Sequence, residues 1–72
     1  MHVTYKKLWK LLIDLNVSKT ALREQAKISS SSIAKLGRNE NVNTDLLVKI
    51  CSALNCKLED IMELEEDEHE KV

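Results

Sequence analysis

One glycine, Gly37, and no proline stand in this chain. Tight hairpins and strand connections draw on those two residues, so a chain nearly without them is left to build itself from helices. Its length, 72 residues, gives one domain near the lower limit for a stable core without disulfide or metal staples. Tyr5 and Trp9 are the only aromatic residues, so that core must be aliphatic.

Apolar spacing divides the chain into five segments. Tyr5, Leu8, Trp9, Leu12 and Ile13 recur at i, i+3, i+4, i+7 and i+8, which predicts an amphipathic helix over about 4–15. Thr4 is its expected N-cap and Asn16 its left-handed stop. Ser18 caps a second helix over about 18–26, with Val17 before it as a staple and Ala21, Leu22 and Ala26 on one face. The run Ser29–Ser32 then interrupts the apolar pattern. Ser29 reads as a cap and 30–36 as a two-turn third helix carrying Ile33 and Leu36, with Gly37 as the C-cap candidate. Asn43 caps a fourth helix over 44–54, with Asp45 in its first turn and Leu46, Leu47, Ile50, Cys51 and Leu54 as its stripe; Asn55 closes it. Leu58, Ile61 and Met62 predict a short fifth helix over 58–64. None of these helices is long enough to hold alone, so the expected fold is all-α, a compact five-helix bundle over 1–64. Residues 65–72, EEDEHEKV, have no apolar pattern and read as an acidic tail.

Several function classes find no support. The chain has no glycine-rich phosphate loop, no G-x-S-x-G and no H-E-x-x-H, and a bundle this small offers no cleft in which to tune a catalytic pKa. We therefore expect no enzyme, no cofactor and no small-molecule substrate. Cys51 and Cys56 match no zinc spacing, and His2 and His69 lie at the two ends, so no metal is expected and the cysteines read as small core hydrophobes. No apolar run could span a membrane, and the opening MHVTYKK lacks the apolar stretch of a signal peptide. These features predict a cytoplasmic protein.

The net charge of −1 conceals two opposed halves. Residues 1–41 carry eight Lys or Arg and three acids, whereas residues 42–72 carry three Lys and nine acids. A basic half suits a polyanion. Within it, the second helix, the turn KIS and a third helix with a small, polar outer face describe a helix-turn-helix. A DNA major groove admits one helix, and small residues at its start allow close backbone approach. The positive end of the helix dipole would then face phosphates or base edges.

Leu22, Ala26, Ile28, Ser29, Ile33 and Leu36 fall on the pattern L-x-x-x-A-x-[IV]-S-x-x-x-I-x-x-[LI]. This resembles the helix-turn-helix of the phage Cro and lambda-repressor class, the xenobiotic-response-element type, and NVNTDLLVKICSALNCKLEDIMEL resembles that class's closing helices. The opening YKKLWKLLID is similar to its compact variant, and the resemblance covers about residues 4–64. The chain departs from the class at Lys27, where glycine is usual in the turn, and at Arg23, where alanine is usual. A left-handed lysine costs about 1 kcal/mol, and Arg23 implies a wider angle between the second and third helices.

The resemblance implies a sequence-specific, double-stranded DNA-binding transcriptional regulator that binds a pseudo-palindromic operator as a homodimer. It implies that Ser30, Ser31, Ala34 and Lys35 face the bases. Lys19 and Thr20 would hold phosphates on one strand and Arg38, Asn39 and Asn41 on the other, with Ser32 as a further phosphate contact. Met62 and Leu64 are the candidates for a dimer contact. Against this stand plainer readings: Lys19, Lys35 and Arg38 as solvated charges, Lys6, Lys7 and Lys10 as the solvent face of the first helix, and Trp9 as core. A different class is also open, an antitoxin-like protein-interaction module that uses the acidic half.

Overall fold

The computed structural model describes residues 1–67. Their order is β1 (His2–Thr4), α1 (Lys6–Leu15), α2 (Lys19–Ala26), α3 (Ser30–Gly37), α4 (Thr44–Leu54), a 3-10 turn (Leu58–Asp60) and β2 (Glu63–Glu65). The starts of α2, α3 and α4 fall where their caps put them, and α1 lies within the expected 4–15. Ser18 Oγ accepts Ala21 N–H at 3.0 Å, Ser29 Oγ accepts Ser32 N–H at 3.1 Å and Asn43 Oδ1 accepts Leu46 N–H at 2.9 Å. Each bond satisfies one of the donors that a helix start leaves without a partner.

One device ends all four helices. Asn16, Lys27, Asn39 and Asn55 take left-handed φ values of 52–58°. The residue after each donates its N–H to the carbonyl five positions back: Val17 to Leu12, Ile28 to Arg23, Glu40 to Lys35 and Cys56 to Cys51. This is the Schellman stop, usually built on glycine. Asparagine tolerates the left-handed region better than most residues, and it supplies three of the four positions here. The expected C-cap, Gly37, is instead the last helical residue of α3. Its φ is not positive, and the left-handed turn comes two residues later at Asn39.

The core joins Tyr5, Leu8 and Leu12 of the α1 region to Leu22 and Ala26 of α2, Ile28 of the turn, Leu36 of α3, Leu46, Leu47 and Ile50 of α4, and Ile61. Ile13, expected in the α1 stripe, is 78% exposed, and Leu11 packs against the core in its place. Trp9 also packs there, half-buried.

The C-terminal part corrects the expected five-helix bundle. After the 3-10 turn, whose entry is fixed by Asp60 accepting Lys57 N–H at 2.9 Å, Ile61 plugs the core completely buried. The chain then extends as β2 and pairs antiparallel with β1, His2 opposite Glu65, Val3 opposite Leu64 and Thr4 opposite Glu63. Thr4 is accordingly a buried strand residue rather than the main cap of α1, although its Oγ1 still lies 3.4 Å from Lys6 N. Tyr5 takes the N-cap position without a side-chain bond. Glu65 sits within the ribbon rather than in a tail, its carboxylate 2.7 Å from Lys6 Nζ and 3.4 Å from His2 Nε2. Asp67 receives the N-terminal amine at 3.2 Å and His2 Nδ1 at 2.5 Å. The rest of the expected tail, 68–72, lies outside the described residues. Lys7 does more than coat α1, since its ammonium donates to Glu59 O at 3.0 Å.

Candidate nucleic-acid interface

The turn between α2 and α3 is built from its own backbone. Lys27 turns left-handed at φ 58°, and both its N–H and that of Ile28 reach Arg23 O. Ile28 points inward and is buried, anchoring the turn to the core. Ser29 follows in extended conformation and starts α3.

The four serines divide by their partners. Ser29 Oγ gathers Ser32 N–H, the Ser31 hydroxyl at 2.9 Å and the Ser32 hydroxyl at 3.0 Å. The cap therefore leaves the N–H groups of Ser30 and Ser31 at the open, positive end of the helix. Ser30, Ser31, Ala34 and Lys35 are all exposed and fall on one arc of α3, while Ile33 and Leu36 turn inward. No bulky side chain occupies the outer first turn. Ser32 stands apart from that arc. It is half-buried and lies beside a depression of about 240 Å³ that it shares with Lys27, Ser29, Asn43 and Lys49, facing the start of α4.

The start of α2 meets the start of α3. Lys19, Thr20, Arg23, Ser30 and Ile33 line a shallow depression of about 140 Å³. Lys19 Nζ rests 4.5 Å from the centre of the Trp9 ring, a cation–π contact that fixes where the ammonium stands. Arg23, read from the sequence as a packing departure, is half-buried and adds a second guanidinium-or-ammonium charge to this depression. Its place on the α2 face, one turn beyond Lys19, was the signal for it.

On the far side of α3, Arg38 pairs with Glu40 through Nε and Oε2. Asn39 holds the loop in place: its Oδ1 accepts Tyr5 N–H at 3.1 Å, and the Tyr5 hydroxyl donates to Glu40 O at 3.0 Å. The Asn39 carboxamide thus has its oxygen engaged and its NH₂ group available. Burial pushes the Tyr5 phenol above its ordinary range, so it remains a neutral donor. Tyr5 is a positioning residue that sequence reasoning assigned to the core alone, because its partners lie 34 and 35 positions away. Asn41 is exposed beyond this anchor. The arrangement is a polar helix start with free N–H groups, flanked by Lys19 and Arg23 on one side and Arg38 on the other.

Residues 7–67 match the Cro/C1-type helix-turn-helix DNA-binding domain. The chain belongs to that family. The fold is also similar to the crystal structure of the transcriptional regulator VanUg, Form II, with 53% sequence identity and a TM-score of 0.84 over 90% of this chain and 88% of that one. Among curated proteins none matches the chain. No helix of the described residues is long and apolar enough to cross a membrane.

Proposed function

We propose that this Cro/C1-type domain is a sequence-specific transcriptional regulator that lays α3 in the major groove of double-stranded DNA. The observation that carries the reading is the open start of α3: exposed Ser30, Ser31, Ala34 and Lys35 on one arc, two unpaired N–H groups and no bulky side chain in the outer first turn. Those four residues face the bases. Lys19 and Thr20 hold phosphates at the entry of the motif, Ser32 holds one beside the start of α4, and Arg38, Asn39 and Asn41 hold those across the groove. Phosphate contacts set register and affinity, and base contacts set preference. Serine both donates and accepts, so preference rests partly on duplex shape. The similarity to VanUg, a transcriptional regulator, supports the regulatory role.

Binding as a homodimer to a pseudo-palindrome would place two α3 helices about 34 Å apart along one face of the duplex. Leu64 is 63% exposed and, with Met62, Leu58 and Lys57, borders an open depression of about 510 Å³; this is the surface we assign to the partner protomer. In this reading the protein acts in the cytoplasm, where it meets its duplex. Selection of bound fragments from a random duplex library tests the reading. The expected product is a two-fold-related pair of short half-sites one helical turn apart. Enrichment of no sequence, with chain retained only through protein partners, would favour the interaction-module alternative.

A further inference from the structure

Cys51 and Cys56 take no part in the DNA-reading surface. Asn55 between them turns left-handed, with φ 52° and ψ 51°, and Cys56 N–H donates to Cys51 O at 3.0 Å. In a Schellman stop these are the two positions whose side chains are brought into contact. The other three stops carry Leu12 with Val17, Arg23 with Ile28 and Lys35 with Glu40 there; at the end of α4 both carry a thiol. The peptide path from one Cα to the other through that hydrogen bond cannot exceed about 7 Å, and a disulfide joins Cα atoms about 4.4–6.8 Å apart. Both cysteines are half-buried and free, and both open on a groove of about 490 Å³ along α4, with Leu47, Val48, Ser52 and Leu58. Burial, then the charge and hydrogen bond of the Cys51 sulfur, push the Cys56 thiol up to about 11, which accords with two thiols in contact.

We propose that Cys51 and Cys56 are an oxidisable dithiol that closes to an intramolecular disulfide by exchange with a small-molecule disulfide. The Cys51 thiolate attacks one sulfur of the small disulfide, forming a mixed disulfide and expelling the first small thiolate. Cys56 loses its proton and attacks the Cys51 sulfur, and the second small thiolate leaves. The cysteines surrender two protons and two electrons, and the small disulfide becomes two thiols. The exchange opens equally at either sulfur, since the two side chains meet at the same helix stop.

The test equilibrates the reduced full chain with oxidised and reduced glutathione at several ratios, folded and in urea, followed by alkylation and mass spectrometry. The expected product is a monomer lighter by about 2 Da, with the bridge inside the tryptic peptide 50–57. Closure should be favoured about tenfold or more in the folded chain over the unfolded one, because the helix stop raises the effective concentration of one thiol at the other. Cys56→Ser should halt at the mixed disulfide on Cys51. A persistent mixed disulfide in the unaltered chain, a disulfide between two chains, or equal closure constants folded and unfolded would each overturn the proposal.

Discussion

Ser29 and Ser31 differ by two positions in a run of identical residues, and their replacement by alanine should have opposite consequences. Ser29 Oγ is the acceptor for Ser32 N–H at 3.1 Å. Ser29→Ala leaves that donor to water and removes the cap of an eight-residue helix, a loss of about 1 kcal/mol. In a domain of this size that corresponds to a fall in Tm of roughly 4–8 °C. Ser31 is exposed, and its one hydrogen bond is to Ser29 Oγ, so Ser31→Ala should change stability by no more than about 0.5 kcal/mol. On DNA the order reverses. Ser31→Ala should lower discrimination at one base-pair position by about 1 kcal/mol, roughly fivefold, whereas Ser29→Ala should retain the ranking of sequences. Ser29→Asp supplies a control: the carboxylate caps well and suits the helix dipole, so Tm holds, but its charge beside the phosphates weakens every duplex alike. Thermal unfolding by circular dichroism and anisotropy on a panel of single-base variants measure both axes. If Ser31→Ala lowered Tm as far as Ser29→Ala, or left the ranking untouched, the division of the serine run would be wrong.

Three further outcomes follow from other parts of the molecule. Tyr5→Phe deletes the hydroxyl that donates to Glu40 O and should destabilise by about 0.5–1.5 kcal/mol; it should also weaken DNA binding by loosening the Arg38–Asn41 loop, which a binding titration at a temperature well below Tm separates from unfolding. Lys27→Gly removes a side chain from a left-handed position with φ 58° and should raise stability by about 1 kcal/mol, read as a higher urea midpoint at unchanged slope. The β1–β2 ribbon should depend on pH. The Lys6 hydrogen bond holds Glu65 below its ordinary value, and the His2 hydrogen bond does the same for Asp67. A lowered carboxylate pKa stabilises above the unfolded value and loses that contribution as pH falls through the folded one. Lys6, raised chiefly by its hydrogen bond to Glu65, gives stability that fails only as pH climbs past the lysine range. The strand amides of Val3 and Leu64 should therefore hold their NMR shifts at neutral pH and drift toward disordered values below about pH 4, with the helices unchanged.

What was legible in the sequence was local. Serine and asparagine caps act on N–H groups three residues away, and apolar periodicity acts within a turn or two, so α1 to α4 could be read almost to the residue. Asn16 and Asn55 announced their stops in the same way. Asn39 was hidden behind Gly37, because glycine is the commoner stop and nothing nearby marks which of the two turns left-handed. The β1–β2 pairing was not legible at all. Its partners are some sixty residues apart, and each strand has three residues, too few for polar–apolar alternation to identify a strand. Leu58, Ile61 and Met62 do have helical spacing, yet the chain buries Ile61 completely and then extends, pairing exposed Leu64 with Val3, which packs against the core. At the interface, period put the serines of the first turn of α3 mostly outward, and the family resemblance supplied the set Ser30, Ser31, Ala34 and Lys35. The anchoring of Asn39 and Glu40 by Tyr5, and the meeting of Lys19, Arg23 and Ser30, depend on tertiary contact and came only with the structure.

In the proposed complex this face binds duplex DNA through its cations and reads sequence through α3. Fluorescence anisotropy of the full chain on a random duplex, repeated across salt concentrations, tests it most directly. With Lys19 and Arg38 of each protomer on phosphates, a bound dimer neutralises four charges, and log K should fall with log salt at a slope of about −3 to −4, from a low-salt Kd of about 10⁻⁴–10⁻⁶ M. Lys19→Ala in both protomers should flatten that slope by about 2. Absence of binding at about 100 µM chain in low salt, or binding that ignores salt, would rule out the proposed DNA-binding face.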